Sequence, residues 1–280
     1  MAGHFVLMGV VNVTPDSFSD GGRFLEPSAA VAHGASLAEE GAAILDVGGE
    51  STRPGAAPVG AEEELRRVIP VVEGLAAASG PTPLRVSIDT SKAAVARAAL
   101  DAGASYVNDV TAFRGDPAIA GLVAERGVEC CLMHMLGEPR TMQDDPRYDD
   151  VVSDVKAFLE ERLAFAVGEG VPEERVTLDP GIGFGKTLEQ NLELLRRLDE
   201  ITAVGRPVLV GTSRKSFLGK LTGRDVDDRL AGTIATNVLA YARGASVFRV
   251  HDVAPVRDAL TVAAATVAAP WTSPTATTKS

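Results

Sequence analysis

Eight short apolar runs rich in β-formers, each followed by a longer amphipathic segment, constrain this chain more than any other feature of its sequence. The runs lie at Phe5–Asn12, Ala43–Val47, Leu84–Ile88, Tyr106–Asn108, Val128–Met133, Val176–Leu178, Pro207–Val210 and Ser246–Val250. Helical periodicity covers Ser28–Glu40, Glu62–Ala77, Lys92–Ala102, Pro117–Arg126, Val151–Glu169, Leu188–Leu198, Asp227–Arg243 and Val253–Ala268. Leu188, Leu192, Leu195 and Leu198, for instance, share one helical face. Several segments begin on plausible caps, such as Ser91 ahead of Lys92–Ala102. Strand and helix alternating in this way predict repeated βα units and a parallel sheet. Eight units in 280 residues close most economically into a single-domain α/β fold, a (β/α)8 TIM barrel, since closure removes both sheet edges. An open doubly wound sheet is the alternative.

No linker or shift of composition divides the barrel, which is expected over residues 1–269; the Thr-, Ser-, Ala- and Pro-rich segment 270–280 is expected to be a disordered tail. The apolar run Phe5–Val13 is too short to span a bilayer and lacks a basic flank or a small-residue cleavage site. It reads as a buried strand of a cytoplasmic protein with no membrane partner. A net charge of −11 and 5% aromatic residues argue against a nucleic-acid partner, which would favour a basic stripe and stacking rings. Cys130 and Cys131 are adjacent, so on a strand they face opposite ways, and no cysteine spacing suits a tetrahedral metal. They read as buried structural thiols.

A polar or charged residue stands at or just beyond the C-terminal end of every run: Asn12, Asp46 with Glu50, Asp89, Asn108, His134, Asp179, Arg214 with Lys215, and Arg249 with His251. Barrel active sites are built on that face. For any one residue, capping the next helix is as good an explanation. Capping does not explain why all eight coincide, nor Lys215, Arg249 and His251, because cations are poor N-caps. Carboxylates and Asn can pair with the edge of a polar heterocycle, whereas Lys215, Arg249 and His251 suit phosphate. The basic residues also fall on the seventh and eighth strands, where barrels commonly hold phosphate. The combination reads as a site for a heteroaromatic substrate bearing a phosphate or pyrophosphate.

Three loops refine this. Gly181-Ile-Gly-Phe-Gly-Lys-Thr187 imitates a phosphate loop, but Pro180 stands where the first glycine of that motif belongs, and Lys186 replaces the third glycine of a dinucleotide fingerprint. It reads as a flexible turn that brings Phe184 to a ligand, or as an ordinary helix start at Thr187. Asn12-Val-Thr-Pro-Asp-Ser-Phe-Ser-Asp-Gly-Gly22 and Gly48-Gly-Glu-Ser-Thr-Arg-Pro-Gly55, after strands one and two, are longer than βα connections need to be and read as active-site lids. Phe18 sits in a polar loop, and Arg53, between Thr52 and Pro54, suits an anion or carboxylate.

These two loops resemble the two long signatures of the dihydropteroate synthases of folate biosynthesis. Shorter matches follow in order: Ser87-Ile-Asp-Thr90, Asn108-Asp-Val110, Met133-His-Met135, Asp179-Pro-Gly-Ile-Gly-Phe-Gly-Lys186, Ser213-Arg-Lys-Ser216 and Arg249-Val-His-Asp252. The resemblance spans roughly Phe5 to Ala268. It implies a transferase that joins 6-hydroxymethyl-7,8-dihydropterin pyrophosphate to p-aminobenzoate, releasing pyrophosphate. By the same resemblance, Asp89, Asn108, Asp179 and Lys215 would hold the pterin, with Met133 and Phe184 beside its ring. Asn12, Thr52, Arg249 and His251 would hold the pyrophosphate, Asn12 also touching Mg2+. Thr52, Arg53, Pro54, Phe18, Lys215 and Ser216 would form the p-aminobenzoate pocket, where sulfonamides compete. Asp20 would stabilise the cation that develops on the pterin methylene, so that Asp20, Lys215, Arg249 and His251 form the catalytic set. A homodimer is a further family expectation. Two alternatives stay open at this point: a pterin-binding methyltransferase domain, which would not need the Ser-Thr-Arg-Pro loop, Arg249 or His251, and a non-catalytic pterin-binding paralogue, which would be expected to lack part of Asp20, Lys215, Arg249 and His251.

Overall fold

The computed structural model describes residues 5–14, 27–52, 55–78, 84–138 and 141–268. Eight parallel strands form one sheet: β1 (Val6–Asn12), β2 (Ile44–Gly48), β3 (Arg85–Asp89), β4 (Tyr106–Asp109), β5 (Glu129–Met133), β6 (Val176–Asp179), β7 (Leu209–Val210) and β8 (Val247–Val250). They lie in the order β6-β5-β4-β3-β2-β1-β8-β7, and a parallel bridge from Leu178 to Val208 joins the two ends. The sheet therefore closes into the expected barrel, not an open doubly wound sheet.

Side chains alternate across a strand, and this barrel uses that parity to separate its chemistry. Outward residues such as Leu7, Leu45, Ile88, Val107, Leu132 and Phe248 pack beneath the helices in the main core. Inward Met8, Ile44, Tyr106, Cys131, Leu209 and Val247 form a separate apolar plug inside the barrel. Fully burying one such side chain is worth roughly 1.5–3 kcal/mol, so the plug seals the lumen below the site. Two residues further along, the inward positions are Val10, Asp46, Asn108, Met133, Gly211 and Arg249. Cys130 and Cys131 do face opposite ways, one in each cluster. Burial pushes the Cys130 thiol up to about 12 and raises Cys131 as well, so neither is a nucleophile.

Among the described residues ten α-helices surround the barrel rather than the eight anticipated: α1 (Pro27–Glu39), α2 (Ala61–Ala78), α3 (Ala93–Asp101), α4 (Ala118–Arg126), α5 (Val151–Gly168), α6 (Leu188–Arg196), α7 (Leu198–Thr202), α8 (Ser216–Thr222), α9 (Leu230–Ala242) and α10 (Val253–Ala268). The expected Leu188–Leu198 helix gives way to α7 at Arg197, whose backbone leaves helical angles (φ −111°, ψ 29°) while its guanidinium bonds Asp150 and Glu200. Helix α8 lies in the β7–α9 connection and ends on Gly223 in the left-handed region (φ 70°). Strand β7 is shorter than Pro207–Val210 because proline has no N–H for the ladder; Pro207 only accepts, from Leu178 N at 2.9 Å. Ser91 is not the cap of α3. Ala93 N, at the first turn, donates instead to Asp116 Oδ2 at 3.0 Å, across from the β4–α4 connection.

Candidate active site

Parallel register sets the strand ends level. Asn12 lies opposite Gly48, Gly48 opposite Asp89, Asp89 opposite Asn108, and Met133 opposite Asp179. These residues line the C-terminal rim of the barrel, directly above the apolar plug.

At the rim's deepest point Asp46, fully buried, accepts from Ser87 Oγ at 2.5 Å, Asn108 Nδ2 at 3.0 Å and Arg249 Nε at 2.7 Å. Arg249 Nη2 also donates to Asp89 Oδ2 at 3.0 Å. The guanidinium fork thus spans two carboxylates from adjacent strands. Burial acts to lower the Arg249 pKa, but the facing Asp46 and Asp89 outweigh it and keep the group charged. Burial, with the Asp46 charge behind it, pushes Asp89 up from the ordinary carboxylate range.

On the opposite side of the mouth Asp179, itself buried, accepts from Gly181 N at 2.7 Å through Oδ1. Burial raises its pKa, and the Lys215 ammonium opposes that rise. Lys215 Nζ donates to the carbonyl of Ile182 and lies 4.5 Å from the centroid of the Phe184 ring. Burial holds Lys215 down at about 8 even though Asp179 works the other way. Met133, Val110, Met135 and Met142 form a small apolar cluster against which Phe184 packs. One wall of the mouth is therefore apolar and soft, and the facing wall is polar and paired.

The Gly181–Thr187 segment is a bonded turn rather than a flexible one. The buried Lys186 ammonium contacts His134 Nδ1 at 2.9 Å, Gly181 O at 3.0 Å and Phe184 O at 2.9 Å. Thr187 then starts α6 with a full capping box to Gln190. Gly181 has φ +66°, and a Cβ there would lie 1.9 Å from His134 O. Gly181→Ala is therefore expected to lower stability by about 2 kcal/mol or more; a urea midpoint equal to wild type would contradict this.

Across the mouth, Ser213 Oγ sits 2.9 Å from His251 Nδ1 and accepts from His251 N at 3.2 Å. Arg214 is in the left-handed region (φ 57°) and grips Asp252 with two bonds, at 3.0 and 2.6 Å. That pair ties the β7 and β8 loops together, with Lys215 and His251 on either side.

The structure thus brings Asp89, Asn108, Met133, Asp179, Phe184, Lys215 and Arg249 around one opening. Asn12 ends β1 on the same rim, Thr52 is half-buried on the loop leaving β2, and Ser216 is exposed at the first position of α8. Phe18, Asp20, Arg53, Pro54 and the tail 270–280 lie outside the described residues. Three strand-end residues turn elsewhere. Glu50 pairs with Lys92, Arg214 with Asp252, and His134 is buried between Tyr148, Phe158 and Lys186, its pKa lowered to about 2 by burial and then by that ammonium. The hub role of Asp46, its partner Ser87 and the support of His251 by Ser213 were not anticipated. Only strand parity could have found the first two, since Ser87 precedes Asp89 by one inward position.

Residues 8–251 match the family of pterin binding enzymes. The dihydropteroate synthase of Escherichia coli (strain K12) is 46% identical over 266 residues, covering 95% of this chain and 93% of the relative. A solved dihydropteroate synthase of Xanthomonas albilineans with 4-aminobenzoic acid has a TM-score of 0.89 at 51% identity, covering 96% of this chain and 95% of that one. Another from the same organism, in complex with 7,8-dihydropteroate, has a TM-score of 0.85 at 48% identity and covers 96% of each chain.

Proposed function

The chain belongs to the pterin-binding enzyme family, and from that premise we infer how its own residues carry the reaction. The reaction is that of a dihydropteroate synthase, joining 6-hydroxymethyl-7,8-dihydropterin pyrophosphate and p-aminobenzoate into 7,8-dihydropteroate and pyrophosphate. The observation that carries the residue assignment is the polar rim raised by strand parity above a sealed apolar plug.

A pterin edge carries N–H donors and a carbonyl acceptor. Asp89, Asn108 and Asp179 meet the donors, and the Lys215 ammonium meets the carbonyl. Phe184 and Met133 cover a face of the ring. Because the rim is buried and largely paired, analogues lacking those groups leave it unsatisfied and are rejected strongly. Arg249 orders Asp46 and Asp89 through Nε and Nη2; its Nη1, without a hydrogen bond among the described residues, is the edge offered to the pyrophosphate. His251, fixed by Ser213, and Thr52 complete that side.

The C–O bond to pyrophosphate breaks with its electron pair leaving on the pyrophosphate. The amine lone pair forms the new C–N bond to the methylene, and the amine proton passes to water. A neutral arylamine is already nucleophilic, so no strong general base is needed. Asp20 is assigned to the developing methylene cation, where a carboxylate has its largest effect. The second loop, with Thr52, Arg53 and Pro54, and Phe18, Lys215 and Ser216 receive p-aminobenzoate.

Magnesium favours hard oxygen donors and keeps several ligands from water and substrate phosphates. Among the described residues no group of three or more His, Cys, Asp and Glu could hold a metal, whereas the Asn12 carboxamide at the end of β1 offers one oxygen of the right kind. Asn12 would hold Mg2+ together with the pyrophosphate, and the bound ion would neutralise charge on the leaving group.

We further assign a cytoplasmic homodimer. The described helices include none long and apolar enough to cross a membrane. Leu239 on α9 and Val262 and Val267 on α10 are exposed apolar side chains available to a second copy. Incubated with both substrates and Mg2+, the purified protein is expected to release pyrophosphate in step with dihydropteroate, and only slowly without the amine. No condensation product under any condition would refute the reading.

A further inference from the structure

The loop that leaves β2 is fastened at its base by one carboxylate. Glu50 Oε1 accepts from Val59 N at 3.0 Å, and Glu50 Oε2 accepts from Lys92 Nζ at 2.5 Å. The same ammonium donates to Glu64 Oε2 at 2.6 Å, on α2. Glu64 is fully buried, and its Oε1 has no hydrogen-bond partner among the described residues, so its burial is compensated through Lys92. Arg67, one turn along α2, donates to Gly49 O at 2.8 Å. The chain that departs at Gly49 and returns at Val59 is therefore tied to itself, to α2 and to the β3–α3 turn. Lys92 stands three positions after Asp89, so one turn carries both a rim carboxylate and the tether of the neighbouring loop.

An exposed ion pair adds little to stability. This one joins a buried carboxylate to the hinge of a loop that carries Thr52. We propose that Lys92 is a positioning residue for the second substrate: through Glu50 it fixes how the β2 loop stands over the mouth, and so the p-aminobenzoate pocket, while the pterin rim is held independently by Asp46 and Arg249. The inference rests on reading that loop as the p-aminobenzoate loop.

Steady-state kinetics with both substrates tests it. Glu50→Gln keeps an acceptor for Val59 N and loses the ion pair; Glu50→Ala loses both; Lys92→Met removes the tether from the other side. Glu50→Ala is expected to raise KM for p-aminobenzoate about tenfold, with KM for the pterin pyrophosphate within about twofold, and Glu50→Gln to fall between. Lys92→Met strands Glu64 and endangers folding, so thermal denaturation accompanies each variant and the two Glu50 variants, which leave Glu64 paired, decide the question. Equal rises in both KM values, or no change in either, would overturn the proposal. Wild-type protein that forms no product would instead overturn the reading of the function, and the proposal with it.

Discussion

Arg249→Ala is expected to lose about 10³-fold in kcat/KM, about 4 kcal/mol, and to lower stability at the same time. The guanidinium bridges the buried Asp46 and Asp89 carboxyl groups, at 2.7 and 3.0 Å. Without it Asp89, already pushed up by burial and by Asp46, is raised further and both carboxyl groups lose a donor, so the rim loses its order in addition to a cation for the leaving group. Breaking a buried pair of this kind costs roughly 3–5 kcal/mol of stability, reduced here to about 2 kcal/mol because the side chain is 24% exposed. Arg249→Lys recovers only part of either loss, since one ammonium cannot span two carboxylates as a planar fork does. Initial rates of pyrophosphate release and a urea titration measure both effects. A variant within about fivefold of wild type would show that the bridge matters only to the substrate-free form.

Lys215→Ala is expected to weaken use of the pterin pyrophosphate about 10²-fold, whereas Arg53→Ala chiefly raises KM for p-aminobenzoate. Equal effects of the two variants on both substrates would refute that division of labour. The pKa of Lys215 adds a second readout. Held at about 8 by burial, the ammonium is charged at neutral pH and is lost as pH rises through that value. In wild type, kcat/KM for the pterin substrate should fall on that alkaline limb. Lys215→Arg, which stays charged, should lack the limb even if its rate is low. Unfolding does not explain the fall: a lysine with a depressed folded pKa keeps its proton longer in the unfolded chain, so its contribution to stability rises from about pH 8 toward its ordinary value of 10.5. An alkaline limb unchanged in Lys215→Arg would move the titration to another group.

The barrel could be read from the sequence because each strand repeats a two-residue parity and each helix its own apolar face, and both are local properties. Eight polar residues, Asn12, Asp46, Asp89, Asn108, Asp179, Lys215, Arg249 and His251, are legible at the strand ends on the same ground, because their coincidence on one face exceeds what helix capping explains. What failed was local reasoning at places where a distant group takes over. Ser91 is a sound N-cap by type, yet Asp116 supplies the bond to Ala93 N. His134 has the position of a ligand, yet Tyr148, Phe158 and Lys186 enclose it. The Gly181–Thr187 turn has the composition of a flexible loop, yet Lys186 bonds two carbonyls within it and contacts His134 beyond it.

The sequence by itself determined the eightfold alternation, the parallel sheet, the strand ends on which polar residues collect and, through motif resemblance, the chemistry they serve, while closure of the sheet is settled by the bridge from Leu178 to Val208. The tertiary structure alone decided which of those polar groups face one another. Asp46 meets Arg249 across 203 positions of chain, and Lys92 meets Glu50 across 42. Such pairs carry no periodic signal, because the first needs the last strand beside β1 and the second needs the loops after β2 and β3 brought level by strand register. The charge balance that sets the pKa of Lys215 and keeps Arg249 ionised depends on distance and burial, which closure also fixes.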